Sequence, residues 1–424
     1  MSTVQSSPLR VAVTVDLTPG PRAGGHVKCW ERLARTALGF PEIDLTVFVS
    51  GPEEATAELG ANVRFVALPP VFSTRRLSFL IGDIPDHTDL SPWHAGLARR
   101  LCDGFDVVHT TDAYFAFSRT AAGVSRRSGL PLVNSVHTAT PELTRLFASQ
   151  VVDRLCGSGR VGRFLTDVVR LPERAEEGKR ATLLHYQSGC AYALVSRDDD
   201  RARATSVLPA DRVRTLRRGI DRTMFTPDRR DRAWLAAEYG VPAEAVVVLF
   251  VGRMDPSKNI GQLAEAVRRA ADSGAPLHLV CAGEGSQRAK VMGLLGNRAV
   301  CPGQIEPDRL GRIYASADLL ALPSEIEVLG NVVLEGLASG LPVLVAERSG
   351  MGMLVDDGRT GLVVSGPGPE PWTEALTALA RDPSRQASMR ECVRRMPRTV
   401  LPGWDDVLSE DLLPVWRAAS RSRP

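Results

Sequence analysis

Short runs of β-branched residues alternate with helical stretches along most of this chain. Neighbouring parallel strands need long, usually helical crossovers, so the alternation selects the α/β class, with parallel sheets wound by βαβ units. In the first half strands are predicted at Leu9–Leu17, Leu45–Val49, Val63–Leu68, Val107–His109, Leu132–Val136, Ala191–Val195 and Val213–Leu216. The second half gives Val246–Val251, Leu277–Ala282, Ala299–Cys301, Leu319–Leu322, Val343–Val345 and Gly361–Val364. A length of 424 residues exceeds the roughly 100–200 of one ordinary core, so two doubly wound domains are expected, residues 1–216 and 217–395. The charged stretch Arg217–Pro242, with Gly219 and Pro227, is the predicted join, and a cleft between the halves is the natural ligand site. Trp404, Val407, Leu412 and Trp416, at loose helical spacing, predict that residues 396–424 return as a helical segment to the first domain.

Charge and cysteine usage remove several function classes. Against 49 acids stand 52 bases, a net +3 that leaves no basic stripe for nucleic acid or for strong attraction to anionic membranes. Only Lys28, Lys179, Lys258 and Lys290 are lysines, a bias typical of a GC-rich genome, and it makes each Lys conspicuous. Cys29, Cys102, Cys156, Cys190, Cys281, Cys301 and Cys392 are scattered and odd in number, which argues against a zinc site or disulfide framework and for reduced thiols in the cytoplasm. The polar start Met1–Arg10 and the absence of an apolar run near ~18–20 residues predict a soluble protein with no transmembrane segment. Val161, Phe164, Leu165 and Val168 recur at i, i+3, i+4, i+7, giving a helix packed on its own domain, or alternatively one touching the acceptor or a membrane surface peripherally.

Four segments carry candidate chemistry. After the first strand, Gly20-Pro-Arg-Ala-Gly24-Gly25 leads into a helix near His26; the Gly pair admits an anion to the helix N-terminus, or is simply a turn. It lacks G-x-G-x-x-G, which disfavours a nicotinamide enzyme. After Val246–Val251 come Arg253 and Lys258, a bidentate fork and a point charge five residues apart where a doubly wound sheet takes a diphosphate; the bland reading is a solvated basic loop. Gly283-Glu-Gly285 reads as a structural turn. The richest run is Leu319–Val345, in which Gly330 and Asn331 open a short helix that Gly340 ends. Seven residues separate Glu327 from Glu335; a helical span of ~1.5 Å per step puts them ~12 Å apart, beyond the ~5–9.5 Å of a glycosidase pair. They are read as gripping two ends of one long ligand. His109 reads as structural, and Asp112 with Asp198-Asp199-Asp200 as a solvated turn in place of a metal set.

The Glu327–Glu335 run, Gly252-Arg253…Lys258-Asn259, Arg218-Gly219-Ile220-Asp221…Phe225-Thr226-Pro227 and Asp318-Leu-Leu-Ala-Leu-Pro323-Ser324 together resemble the retaining glycosyltransferases of family four. The resemblance is close over Val213–Val364 and holds in outline before it. It implies the GT-B fold, two Rossmann-like domains facing across a cleft, and hexosyl transfer from a UDP- or GDP-linked sugar with retention of anomeric configuration, without a metal or a separate cofactor. It implies Glu327 near the donor sugar and Glu335 on the ribose. Arg253 and Lys258 would take the diphosphate, and the amides of Leu329, Gly330, Asn331 and Val332 the sugar and distal phosphate. The base would lie against Gln304 and Ile305, with Gly24 and Gly25 forming the phosphate-facing turn. His137 matches a histidine near the anomeric carbon, with a hydrogen-bonded structural residue after a strand as the lesser alternative. Val328-Leu329 departs from the Gly or Thr followed by Phe of the family, which alters the wall of the sugar pocket. The expected acceptor is a small polar, aminocyclitol-like molecule, with a lipid or glycan next. Competing readings are a nucleotide-sugar 2-epimerase, a pyridoxal phosphate phosphorylase, for which Lys258 and Lys290 are poorly suited, and an inactive nucleotide-sugar-binding partner.

Overall fold

The strands assemble as two sheets in a computed structural model that describes residues 7–422 except 21, 22, 24, 78–87, 139, 158, 326–329 and 398. One unit runs to Arg217 and resumes at Trp404; the other is Arg218–Gly403. In the first unit β1 (Leu9–Val15), β2 (Ile43–Ser50), β3 (Ala55–Gly60), β4 (Val63–Leu68), β5 (Val107–Thr110), β6 (Leu132–Ser135), β7 (Tyr192–Val195) and β8 (Val213–Thr215) form one sheet. Their order is β3-β4-β2-β1-β5-β6-β7-β8, with β3 alone antiparallel. In the second, β9 (Val246–Val251), β10 (Leu277–Ala282), β11 (Ala299–Gly303), β12 (Leu319–Leu322), β13 (Val343–Ala346) and β14 (Gly361–Val364) pair in parallel as β11-β10-β9-β12-β13-β14. Both sheets are Rossmann-like, and strand order reverses at β1/β5 and at β9/β12. Such switch points open a ligand crevice outside the carboxyl ends of the strands.

Central strands are buried on both faces and therefore read as continuous apolar runs. Val11, Ala12, Val13 and Val15 are fully buried, as are Val247, Val248 and Leu249. The edge strand β3 escaped the sequence reading because Ala-Thr-Ala-Glu-Leu-Gly is largely exposed and, with no aromatic and no β-branched apolar residue, its alternation is weak. Two further expectations need correction. Phe164 and Val168, read as a packed face, are exposed, because Phe164–Val168 winds as a π-helix after the short helix Arg160–Arg163 and loses the 3.6-residue register. Asp198, Asp199 and Asp200 are the first turn of the helix Asp198–Ala204 and not a loop; acidic groups there favour the helix N-terminus.

The C-terminal tail returns to the first unit as the helix Trp404–Asp406, a π-helical stretch Val407–Leu412 and the helix Leu413–Arg421. Trp404, Val407, Leu408, Leu412 and Trp416 share a core with Trp30 and Leu33 of the helix Gly25–Ala37. The wider π turn explains the loose spacing of these residues in the sequence. Asp411 anchors the tail by accepting hydrogen bonds from the Arg217 backbone N–H at 2.8 Å and from its guanidinium at 2.7 and 3.1 Å. All seven cysteines are free thiols, and no helix among the described residues is long and apolar enough to cross a membrane.

Gly283 and Gly285 hold positive φ angles of 153° and 157°, and a Cβ on either would overlap the carbonyl oxygen of Gly252 or Met254. This close approach lets the loop after β10 lie against the loop after β9, where Met254 N–H donates to Glu284 O at 2.8 Å. Gly293, by contrast, sits in the helix Arg288–Leu295 with open space around it. Gly283→Ala should therefore lower the thermal midpoint, with a cost of about 1–3 kcal/mol or more, whereas Gly293→Ala should raise stability by about 0.5–1 kcal/mol. Differential scanning calorimetry of both variants checks the opposite signs.

Candidate functional site

The switch point of the second unit is built from the loops that follow β9 and β12. Gly252 turns the chain at φ 145°, and Arg253 follows with its side chain half exposed and ion-paired to Asp255 at 3.5 Å. Asp255 caps the 3-10 turn Pro256–Lys258, accepting from Ser257 N–H at 3.0 Å. Asn259 adopts the left-handed conformation at φ 53°, and its Nδ2 donates to Pro323 O at 3.1 Å. That bond ties the loop carrying Arg253 and Lys258 to the end of β12, so the two cations of the sequence reading belong to one braced segment.

Beyond β12, Gly330 caps the helix Asn331–Ala338 while its own N–H donates to Met351 Sδ at 3.1 Å. Ser324 Oγ and Asn331 Oδ1 are both out of solvent with no hydrogen-bond partner among the described residues. Buried polar atoms are ordinarily satisfied, so two orphans at one sheet edge point to a polar ligand. Glu335 is 6% exposed and accepts a hydrogen bond from Tyr314 Oη at 2.9 Å. Tyr314, on the helix Pro307–Ser316, was missed in the sequence because a single Tyr on an amphipathic helix looks like core. Val332 and Ile305 pack against the core of this unit, and Gln304 is exposed just past β11. Glu327 and Leu329 lie outside the described residues.

In the first unit the corresponding edge carries histidines and acids. Gly25 begins the helix Gly25–Ala37, while Gly24 lies outside the described residues. His26 stacks on His137 with ring centroids 4.7 Å apart and planes 3° off parallel. His137 Nε2 lies 2.7 Å from Ser135 Oγ, which lies 2.8 Å from His109 Nε2, and Trp416 Nε1–H donates to His109 Nδ1 at 3.0 Å. Burial pushes the His109 pKa down to about 3. His26 had one available signal, its place immediately after Gly25 at a helix start.

Asp16, at the end of β1, is buried; Oδ2 accepts from Phe117 N–H at 3.2 Å and Oδ1 has no partner among the described residues. Desolvation first, then the charge of Asp112, raise its pKa well above the usual carboxylate value. Burial raises Asp112 as well, opposed by hydrogen bonds from Tyr114 and Phe115 N–H at 2.7 and 3.1 Å. Among the described residues no three His, Cys, Asp or Glu side chains gather as a metal-ligand set.

Comparison with known proteins gives this geometry a family. The model for "Glycosyl transferases group 1" matches residues 245–382. A D-inositol 3-phosphate glycosyltransferase of Rhodococcus opacus is 34% identical, with 91% of this chain and 85% of the relative covered. One from Nocardia farcinica is 31% identical over the same shares. Among solved structures, sucrose-phosphate synthase from Thermosynechococcus elongatus superposes with a TM-score of 0.66 at 19% identity, covering 97% of this chain and 98% of that one. Anabaena HepE in complex with UDP and glucose gives 0.63 at 15%, covering 95% and 98%. The fold is GT-B, and the chain is a glycosyltransferase. It belongs to the group 1 glycosyltransferases, family four.

Tyr314→Phe removes a donor from a buried carboxylate and should cost about 1–3 kcal/mol, read as a lowered melting temperature. Asp16 offers a pH test. Its folded pKa is raised, so between the usual carboxylate pKa and the raised one the folded state binds more protons, and stability falls as pH rises through that window. Asp16→Asn should melt a few degrees above the parent near neutral pH, and the gain should shrink as pH falls towards and then below about 4, where the unfolded carboxylate takes up its proton as well.

Proposed function

We propose that this protein transfers a hexose from a nucleoside diphosphate sugar, UDP- or GDP-linked, to a hydroxyl of a cyclitol, with retention of anomeric configuration. The observation that carries the donor half is the braced loop of Arg253 and Lys258 at the β9/β12 switch point, next to the orphaned Ser324 and Asn331 oxygens. The acceptor half rests on relatives whose names specify D-inositol 3-phosphate and which cover most of this chain. In this reading the second unit holds the donor and the first the acceptor.

Each group has a physical task. The Arg253 guanidinium grips two diphosphate oxygens and the Lys258 ammonium adds a compact charge, so negative charge that develops on the leaving group meets fixed cations without a metal. The N-terminus of Asn331–Ala338 offers backbone N–H groups to the sugar and distal phosphate. Glu335, held by Tyr314, accepts from ribose hydroxyls, and Glu327 from donor sugar hydroxyls, while the base rests on the backbone at Gln304 and Ile305. His137 donates a hydrogen bond to the reacting sugar. The bond between the anomeric carbon and the phosphate oxygen breaks with its electron pair going to phosphate. The acceptor oxygen attacks from the same face, and the departing diphosphate takes its proton. The seven free thiols fit a reducing, cytoplasmic setting.

Two measurements test this reading. A thermal-shift panel of nucleoside diphosphates and their sugars should single out one base, since a ligand at ~100 times its dissociation constant adds ~2.7 kcal/mol. Arg253→Ala and Lys258→Ala should each reduce kcat with a cyclitol acceptor by about 10²–10³, and NMR of the product should show the donor's anomeric configuration. Full activity in both variants, or an inverted product, overturns it.

A further inference from the structure

We propose that Trp416, His109 and Ser135 are positioning residues that fix the tautomer of His137, keeping its proton on Nδ1 and its Nε2 an acceptor. The inference deepens the proposed function and rests on the reading that His137 touches the reacting sugar.

The direction of each bond follows from the one before it. An indole N–H can only donate, so at 3.0 Å from Trp416 Nε1 the His109 Nδ1 must offer a lone pair. His109 is completely buried, and burial holds it neutral, so its single ring proton sits on Nε2. That Nε2–H points to Ser135 Oγ at 2.8 Å and makes the hydroxyl an acceptor there. Ser135 is also fully buried, and its own proton has His137 Nε2 before it at 2.7 Å. His137 Nε2 therefore accepts, and the neutral imidazole carries its proton on Nδ1. Reversing the His109–Ser135 bond would strip His109 to an imidazolate or set an Nδ1–H against the indole N–H, and reversing the Ser135–His137 bond would take the hydroxyl proton's acceptor away, each costly away from water.

The rings are held as firmly as the protons. His26 lies parallel to His137 at 4.7 Å, and Trp30 packs edge-on to His109 at 5.1 Å and tilted against His137 at 5.9 Å. The outcome is a fixed hydrogen-bond donor in place of a general base. Taking a proton at Nε2 would set that N–H against the Ser135 hydroxyl, so the acceptor's proton is left to the departing diphosphate. The C-terminal tail thus reaches the reaction through two intervening side chains, though Trp416 lies 307 residues from His109 in the sequence.

Long-range proton–nitrogen NMR on the full chain labelled with 15N-histidine reads both tautomers directly. At about pH 8 the parent should show His109 as the Nε2–H form and His137 as the Nδ1–H form, with His137→Ala used to assign the signal. Trp416→Phe frees His109 to turn its proton to Nδ1, which swings the Ser135 hydroxyl away and lets His137 populate the Nε2–H form. Ser135→Ala, a smaller change that tests the same link if the Trp variant does not fold, should mix the His137 tautomers too. Each should lower kcat at least about tenfold with the donor KM unchanged. A parent His137 in the Nε2–H form overturns the proposal, as do two folded variants that leave both tautomer and kcat unaltered. Full transferase activity in His137→Ala, with the parent tautomers as expected, instead overturns the role of His137 in the proposed function.

Discussion

Because every strand except β3 runs the same way within its sheet, every loop that follows a parallel strand emerges on one edge, and all the chemistry of each unit is confined there. The strand-order reversals at β1/β5 and β9/β12 then decide which loops diverge enough to leave room for a ligand. Asp16 and the turn into Gly25–Ala37 follow β1; Asp112 follows β5; Arg253 and Lys258 follow β9; Ser324 follows β12. Side chains far apart in the chain become neighbours because the sheets leave them no other place, and the Asn259–Pro323 bond is one visible product of that constraint.

The two edges differ in chemistry. That of the second unit carries the exposed Arg253 and the partly buried Lys258, loops with glycines at positive φ, and two buried oxygens without a partner among the described residues. That of the first is a desolvated set of acids and imidazoles whose protons are allotted by burial and hydrogen bonding. The contrast is what the proposed division of labour calls for, with charge complementarity for a diphosphate on one edge and dry, pre-set polar groups on the other.

Much of the fold was legible because fully buried parallel strands need unbroken apolar runs: Val246–Val251, Leu277–Ala282 and Leu319–Leu322 have the same limits in sequence and structure. The edge strand Ala55–Gly60 carries no such run, and the π-helical stretches obey no 3.6-residue period, so both stayed hidden. The site divides along similar lines. Arg253 and Lys258 could be proposed as a pair because six residues hold the whole signal, and the structure places both in one braced loop. Glu335 could be proposed from the sequence but its partner Tyr314 could not, since the two lie 21 positions apart on successive helices with β12 between them. The line from Trp416 to His137 joins three distant segments, and only tertiary packing reveals it.

Part of the first unit's core is made only after the second unit. Trp404, Val407, Leu412 and Trp416 fill a space beside Trp30 and Leu33, while the 186 residues of Arg218–Gly403 enclose a separate core of their own. On the ribosome, then, the unit encoded second can finish packing while the unit encoded first still waits with an open flank. The apolar face of its helix Gly25–Ala37 lacks these partners until the whole second unit has been synthesised, a window open to a chaperone or to premature contact with another nascent chain.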